Sequence, residues 1–298
     1  MVIVIVGPTG VGKTKLSIEL AHKYNGEVIN ADSTQVYRGL DIATAKVTES
    51  EKEGVVHHLI DIKDVSEDYT VYDFQKDCRA CIDDILSRGK TPIIVGGTGL
   101  YVKAALYDYS FEDEASHFDY SDVSSDDLYD RLISIDPDTE IHRNNRKRIE
   151  RALSYYDSTG KLLSDKEKSS KLLYDSIFIG LTTDRDILYD RINKRVDVMV
   201  DNGLIDEAKR IYDCGVRSKA IMTPIGYKEL FDYFSGNSDL ESCLDLIKQR
   251  SRNYAKRQYT WFNNQMSINW FNVDFDNFSN TVLDVCNYIE CKEECKQG

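Results

Sequence analysis

The sequence predicts an α/β fold: a P-loop-containing parallel sheet core with helices on both faces, plus a helical insertion and a helical C-terminal part. Three observations predict it. Residues 2–6, Val-Ile-Val-Ile-Val, are wholly β-branched and run straight into Gly7-Pro-Thr-Gly-Val-Gly-Lys-Thr14. A strand, a glycine-rich turn and a helix opening on Lys-Thr form the context of a phosphate-binding loop. Apolar runs then alternate with helical patterns as far as residue 106, as expected for a parallel sheet covered by helices. From residue 184 onward the pattern is almost wholly helical.

The elements follow in order. Residues 2–6 form the first strand, and 13–24 the first helix, with Leu16, Leu20 and Tyr24 on one side. Residues 27–30 read as a second strand, 41–46 as a polar loop and 57–62 as a third strand. An amphipathic helix spans 71–88 and is closed by Gly89. Residues 91–95 are an apolar strand of the parallel type, entering Gly96-Gly97-Thr98-Gly99 and a helix over 100–106. Residues 107–126, rich in Asp, Glu, Ser and Tyr, read as a loop or the edge of an inserted lobe. Helices are expected over 127–135 and 143–156, and residues 176–181 as the last strand of the core sheet. Further helices are expected over 184–202, 204–213, 225–234, 239–263 and from 277, with a strand within 265–273. The expected domains are 1–106 with 176–298 as the core and its helical extension, and 107–175 as a shortened helical insertion.

Composition narrows the function classes. Of 298 residues, 41% are hydrophobic and 30% charged, which suits a globular chain with a sizeable core. No apolar run approaches a membrane span, and the six-residue N-terminal run enters the phosphate loop, so a cytoplasmic location is the default. A net charge of −13 argues against a surface coated in basic charge, but a local basic groove suffices for nucleic acid. Seven cysteines in such a chain are expected as thiols. Cys78 and Cys81 form a lone C-x-x-C on a helical pattern, without a second pair to complete a zinc site, and Cys286, Cys291 and Cys295 fit no zinc spacing.

The candidate site begins at the loop. Gly7, Pro8, Thr9, Gly10, Val11 and Gly12 are expected to curl backbone N–H groups round an anion. Lys13 adds a mobile point charge, and the Thr14 hydroxyl is placed to hold Mg²⁺. The pattern does not say whether the phosphate belongs to a nucleotide being split or to a diphosphate that leaves. Asp32 lies just past the second strand, where open α/β sheets place their chemistry, and is the candidate catalytic base. A Mg²⁺-holding acid is the competing role. Thr98 is a hydroxyl aimed at the same cleft, and the neighbouring glycines alternatively serve close packing. His57 and His58 point to opposite faces of a strand and read as structural.

Two basic clusters stand out. One is Arg143, Arg146, Lys147, Arg148 and Arg151, with Arg146 and Glu150 at i, i+4. The other is Lys248, Arg250, Arg252, Lys256 and Arg257, interleaved with Tyr254, Tyr259 and Trp261. Arg250, Tyr254 and Arg257 share a helix side, a mixture suited to a phosphodiester backbone and stacked bases. A solvated helix face is the alternative.

Together these blocks resemble the tRNA dimethylallyltransferase (tRNA isopentenyltransferase) family, over nearly the whole chain. The resemblance rests on the phosphate loop, Asn30-Ala-Asp-Ser-Thr-Gln-Val-Tyr37, Asp41-Ile-Ala-Thr-Ala-Lys46, His57-His58-Leu-Ile-Asp61, Asp73-Phe74 and Val95-Gly-Gly-Thr-Gly-Leu-Tyr101. It continues through Asp190-Arg-Ile-Asn-Lys-Arg-Val-Asp197, Ile225-Gly-Tyr-Lys-Glu229 and Tyr254-Ala-Lys-Arg-Gln-Tyr-Thr-Trp-Phe262. It implies transfer of a dimethylallyl group from dimethylallyl diphosphate to N6 of the adenine 3′ of a tRNA anticodon, with Mg²⁺ required. It further implies Asp32 as general base, Thr98 as its helper, and Lys13 with the loop as the diphosphate cradle. Asp32, Ser33, Thr34 and Gln35 would touch the tRNA, alongside Arg250 and Arg257 of the basic helix. The expected partners are the tRNA anticodon arm and dimethylallyl diphosphate, with no membrane, and the enzyme is expected as a monomer. Two departures bear on tRNA grip: residues 107–135 look short for the family, and His142-Arg-Asn-Asn145 replaces the usual His-Pro-Asn-Asp. The rival readings are an adenine-nucleotide prenyltransferase, a P-loop small-molecule kinase and a nucleotide-gated RNA-binding module.

Overall fold

The computed structural model describes residues 1–109, 118–168 and 171–297. The sheet is built from β1 (Val2–Val6), β2 (Gly26–Asn30), β3 (His57–His58), β4 (Thr91–Gly96), β5 (Ser176–Thr182) and β6 (Asn269–Asn272), in the order β3-β2-β4-β1-β5-β6. Every pairing is parallel. The helices are α1 (Lys13–Lys23), α2 (Val71–Ser87), α3 (Gly99–Leu106), α4 (Ser125–Ile135), α5 (Arg146–Thr159), α6 (Leu163–Lys168), α7 (Arg185–Asp201), α8 (Leu204–Asp213), α9 (Lys219–Met222), α10 (Tyr227–Phe234), α11 (Leu240–Gln265) and α12 (Phe278–Gln297).

The chain divides into two compact units, Met1–Ala105 with Tyr174–Gly298, and Leu106–Leu173. In the first unit, Ile3, Ile5, Ile93, Ile177 and Ile179 pack with Leu16 and Leu20 of α1 and with Val285 and Ile289 of α12. Alternate residues Val2, Val4, Val6 and Ile94 point the other way and are equally buried, so the sheet is covered on both faces. A Thr70–Asp73 capping box starts α2, and its Phe74 stacks on Tyr101 of α3 at a centroid distance of 4.3 Å. The second unit closes its own small core of Leu128, Leu132, Ile149, Leu153 and Leu163.

Two expectations are corrected. β5 is not the last strand: β6 pairs beyond it, Gly180 opposite Trp270. The third strand stops after two residues because Leu59 and Asp61 adopt positive φ, 61° and 55°, which ends extended backbone. The short helices α6 and α9 lie in stretches without an anticipated element. The part of the expected 107–126 loop at 110–117 lies outside the described residues.

The histidine pair has no shared task. His58 Nε2 lies 2.7 Å from Glu27, while His57 Nδ1 lies 2.9 Å from the Val55 carbonyl. Glu27 is buried at the sheet edge remote from the phosphate loop, and Arg88, Lys90 and His58 hold its carboxyl well below the usual range. No group of His, Cys, Asp or Glu suited to a metal occurs among the described residues. None of the described helices is long and apolar enough to cross a membrane.

Candidate active site

Strand register brings three loops to one edge. Val6 is level with Gly96, and Asn30 with Val95, so the carboxyl ends of β1, β2 and β4 finish together. Residues 7–12, 31–35 and 97–98 therefore emerge side by side, where open parallel sheets bind ligands. A cleft of about 1700 Å³ opens there, lined by the loop, Asp32 to Gln35, residues 41–48, and parts of α7 and α11.

The phosphate loop has the geometry an anion needs. Gly10 and Gly12 hold φ of 87° and 93°, backbone that side chains rarely adopt. Gly12 is also the N-cap of α1 and supplies no side-chain acceptor, so the first-turn amides of the helix are left for a ligand. The Lys13 ammonium turns back to donate to the Pro8 carbonyl at 2.7 Å. Burial, then the nearby Arg195, lower its pKa to about 7, against the opposing pull of Asp32. The Thr14 hydroxyl lines the cleft on an exposed residue and takes no protein partner.

Asp32 sits in a tight turn. Its Oδ1 accepts from the Thr34 amide at 2.9 Å and from the Thr34 hydroxyl at 2.7 Å. Its own amide donates to Asn30 Oδ1 at 3.3 Å, and the side-chain Nδ2 of Asn30 donates to the carbonyls of Leu59 and Asp32. The second carboxylate oxygen is thereby left for a substrate. The Thr98 hydroxyl accepts from the Ser33 amide at 3.2 Å, linking the turn after β4 to the Asp32 turn. Gln35 Nε2 donates to the carbonyls of Thr44 and Ala45, which ties Gln35 to the 41–46 loop. Buried Glu207 holds that loop by accepting from the amides of Asp41, Ile42 and Ala43 at 3.0–3.1 Å.

The two basic clusters divide by partner. Arg146 donates to Glu150, to Ser125 and to the Val123 and Tyr120 carbonyls, and Arg143 pairs with Asp126, so both stabilise the helical unit. Arg250 pairs with fully buried Glu229, Lys248 with Asp197, and Arg252 donates to Asn193. Arg257 is exposed, with only Tyr254 beneath it at 5.8 Å. Arg250, Tyr254 and Arg257 all line the cleft.

Three residues of the site carried no assignment from sequence, and a fourth, Tyr254, was expected only as a stacking aromatic on the basic helix. Arg191 donates to the Gly10 carbonyl at 3.1 Å and covers Phe275 at 3.7 Å. Arg195 is close enough to Lys13 and Asp32 to act on both electrostatically. Gln258 Oε1 accepts from the Thr9 amide at 3.0 Å. The Tyr254 hydroxyl is within hydrogen-bond reach of Thr98 and Gln258, and burial raises its pKa to about 12. The blocks 190–197 and 254–262 contain these residues, which was the available signal, but nothing local says which side chain turns to the loop.

Comparison with known proteins resolves the class. A family model described as IPP transferase matches residues 35–265. The chain belongs to the IPP transferase family. The tRNA dimethylallyltransferase of Anoxybacillus flavithermus is 50% identical over 300 residues, covering 98% of this chain and 96% of that protein. The crystal structure of the tRNA isopentenylpyrophosphate transferase from Bacillus halodurans has a TM-score of 0.78 at 47% identity, covering 99% of this chain and 97% of the other. A eukaryotic dimethylallyltransferase, described as acting on tRNA, has a TM-score of 0.78 at 35% identity, covering 91% of this chain and 73% of its own. The family model begins after the phosphate loop and Asp32, but the full-length IPP transferase relatives span 98–99% of the chain.

Proposed function

We propose that this chain transfers a dimethylallyl group from dimethylallyl diphosphate to N6 of the adenine 3′-adjacent to the anticodon of tRNA, releasing diphosphate. Family membership supports the reaction class. The observation that carries the residue roles is the Asp32 turn, tied through Ser33 to Thr98 on the sheet edge that bears the phosphate loop.

The adenine N6 is a poor nucleophile because its lone pair is delocalised into the ring. As N6 attacks C1 of the allyl group, the C1–O bond to diphosphate breaks and an N6 proton passes to the free oxygen of Asp32. Thr34 holds the other oxygen, so the carboxylate is oriented before the base arrives. Thr98 assists at the amine. The α1 amides and the Lys13 ammonium stabilise negative charge as it grows on the leaving diphosphate. Gly7, Pro8, Thr9, Gly10, Val11 and Gly12 shape that cradle. Thr14 fits a Mg²⁺ ligand, being an unpartnered hard oxygen on the cleft wall. When bound, Mg²⁺ neutralises charge on the diphosphate oxygens.

The adenine must leave the anticodon stack to reach Asp32, at a cost of a few kcal/mol. Ser33, Thr34 and Gln35 contact the flipped base, and Arg257 and Arg250 contact the RNA backbone. We assign residues 106–173 as the tRNA-binding insertion and the enzyme as a monomer. Mixing the chain with Mg²⁺, labelled dimethylallyl diphosphate and unmodified tRNA tests the reading. Label is expected in the tRNA at one adenine; label in free AMP instead, or phosphoryl transfer from ATP without prenyl transfer, overturns it.

A further inference from the structure

Gln258 lies on α11, 249 residues from the phosphate loop it touches. Both ends of its carboxamide are used. Oε1 accepts from the Thr9 amide at 3.0 Å, and Nε2 donates to the Gly97 carbonyl at 3.1 Å. An N–H partner at one end and a carbonyl at the other fix which atom is oxygen. The residue is 5% exposed. Its approach also explains a glycine: a Cβ at Gly97 would lie 2.0 Å from Gln258 Nε2. One turn earlier on α11, Tyr254 reaches both Thr98 and Gln258.

We propose that Gln258 is a positioning residue that clamps the phosphate loop to the turn carrying Thr98, setting the diphosphate cradle in register with the base-binding side. The proposal rests on the dimethylallyl-transfer reading above and deepens it. The Thr9 N–H is then an anchor of the loop, and the diphosphate is held by the amides that follow it. Without the clamp, the loop must be ordered when the ligand binds, which lowers affinity without removing any ligand contact. The carboxamide touches loop backbone on both sides, so its loss moves diphosphate affinity and leaves RNA affinity alone.

The test compares Gln258→Met, similar in shape but unable to make either bond, with Gly97→Ala, which displaces the carboxamide from the other side. Binding of inorganic diphosphate with Mg²⁺ is measured by calorimetry, tRNA binding by filter retention, and KM and kcat by label transfer. Both variants are expected to weaken diphosphate and raise KM for dimethylallyl diphosphate about tenfold, with tRNA affinity within threefold of the parent. Because the two residues meet, the double variant Gly97→Ala with Gln258→Ala is expected to be no worse than Gln258→Ala alone. Unchanged diphosphate binding in both single variants, additive losses in the double variant, or a parallel loss of tRNA affinity overturns the clamp. A parent protein that transfers no label to tRNA overturns the functional reading instead, and the diphosphate arm still decides the clamp.

Discussion

The Ser33 amide donates to the Thr98 hydroxyl at 3.2 Å, across 65 residues of sequence. With that oxygen accepting, the Thr98 proton has two protein acceptors within reach, Ser33 Oγ at 3.4 Å, which is weak, and the Tyr254 hydroxyl. The hydroxyl is thus set by the turn that also sets Asp32.

Thr98→Ala should therefore do two things. It removes the hydroxyl from the reacting centre and leaves the Ser33 amide without its partner, a loss of about 1–3 kcal/mol where water is excluded. Transfer is expected to slow roughly 5- to 150-fold, the rate equivalent of about 1–3 kcal/mol lost from the transition state. Thr98→Ser keeps the oxygen and should stay close to the parent rate in single-turnover assays.

Lys13 gives a pH dependence with a definite sign. Its pKa is lowered to about 7 in the free protein, so the ammonium is half deprotonated near neutrality. A bound diphosphate raises that pKa, so binding takes up a proton and affinity falls as pH rises above 7. Calorimetry between pH 6 and 9 should show this fall. Lys13→Arg, charged throughout the range, should show only the ligand's own titration.

Both Arg257 and Arg250 are assigned to the RNA, but only Arg250 also holds a buried carboxylate, so only its loss should also cost stability. Arg257→Ala is expected to weaken tRNA binding uniformly and to reduce the salt slope by about one, with the melting temperature unchanged. Arg250→Ala strips fully buried Glu229 of its guanidinium, leaving only the Gly226 amide on that carboxylate. It should cost about 1–3 kcal/mol of stability, visible in denaturant unfolding.

Glu207 anchors the 41–43 backbone and also accepts from the Tyr227 hydroxyl at 2.8 Å. In Glu207→Gln, an amide nitrogen replaces one acceptor and faces backbone donors. A loss of about 2 kcal/mol is expected, together with faster hydrogen exchange at Ile42 and Ala43.

Much of the core was readable because its signals are local. The β-branched run before Gly7, the amphipathic period of 71–88 and the Gly89 stop each act within a few residues. β6 was harder: Asn-Trp-Phe-Asn is short and half-exposed, and only its pairing with β5 makes it a sheet strand. The third strand was overread because nothing in His-Leu-Ile-Asp announces positive φ at Leu59 and Asp61. At the site, the loop, Asp32 and Thr98 follow from position after a strand. Gln258, Arg195 and Glu207 act across more than 160 residues, so only packing reveals them. The basic clusters were visible, and so was the Arg146–Glu150 pair, but not that Arg146 also reaches the Tyr120 carbonyl or that Arg250 holds Glu229.

Asp32→Asn tests the central claim most directly. Asparagine keeps an Oδ1 for Thr34 and the shape of the turn but cannot take a proton at neutral pH. In a single-turnover assay with saturating dimethylallyl diphosphate and tRNA, transfer should slow about 10²- to 10⁴-fold, with tRNA affinity within threefold of the parent. A slowing of less than tenfold would contradict a carboxylate base at this position.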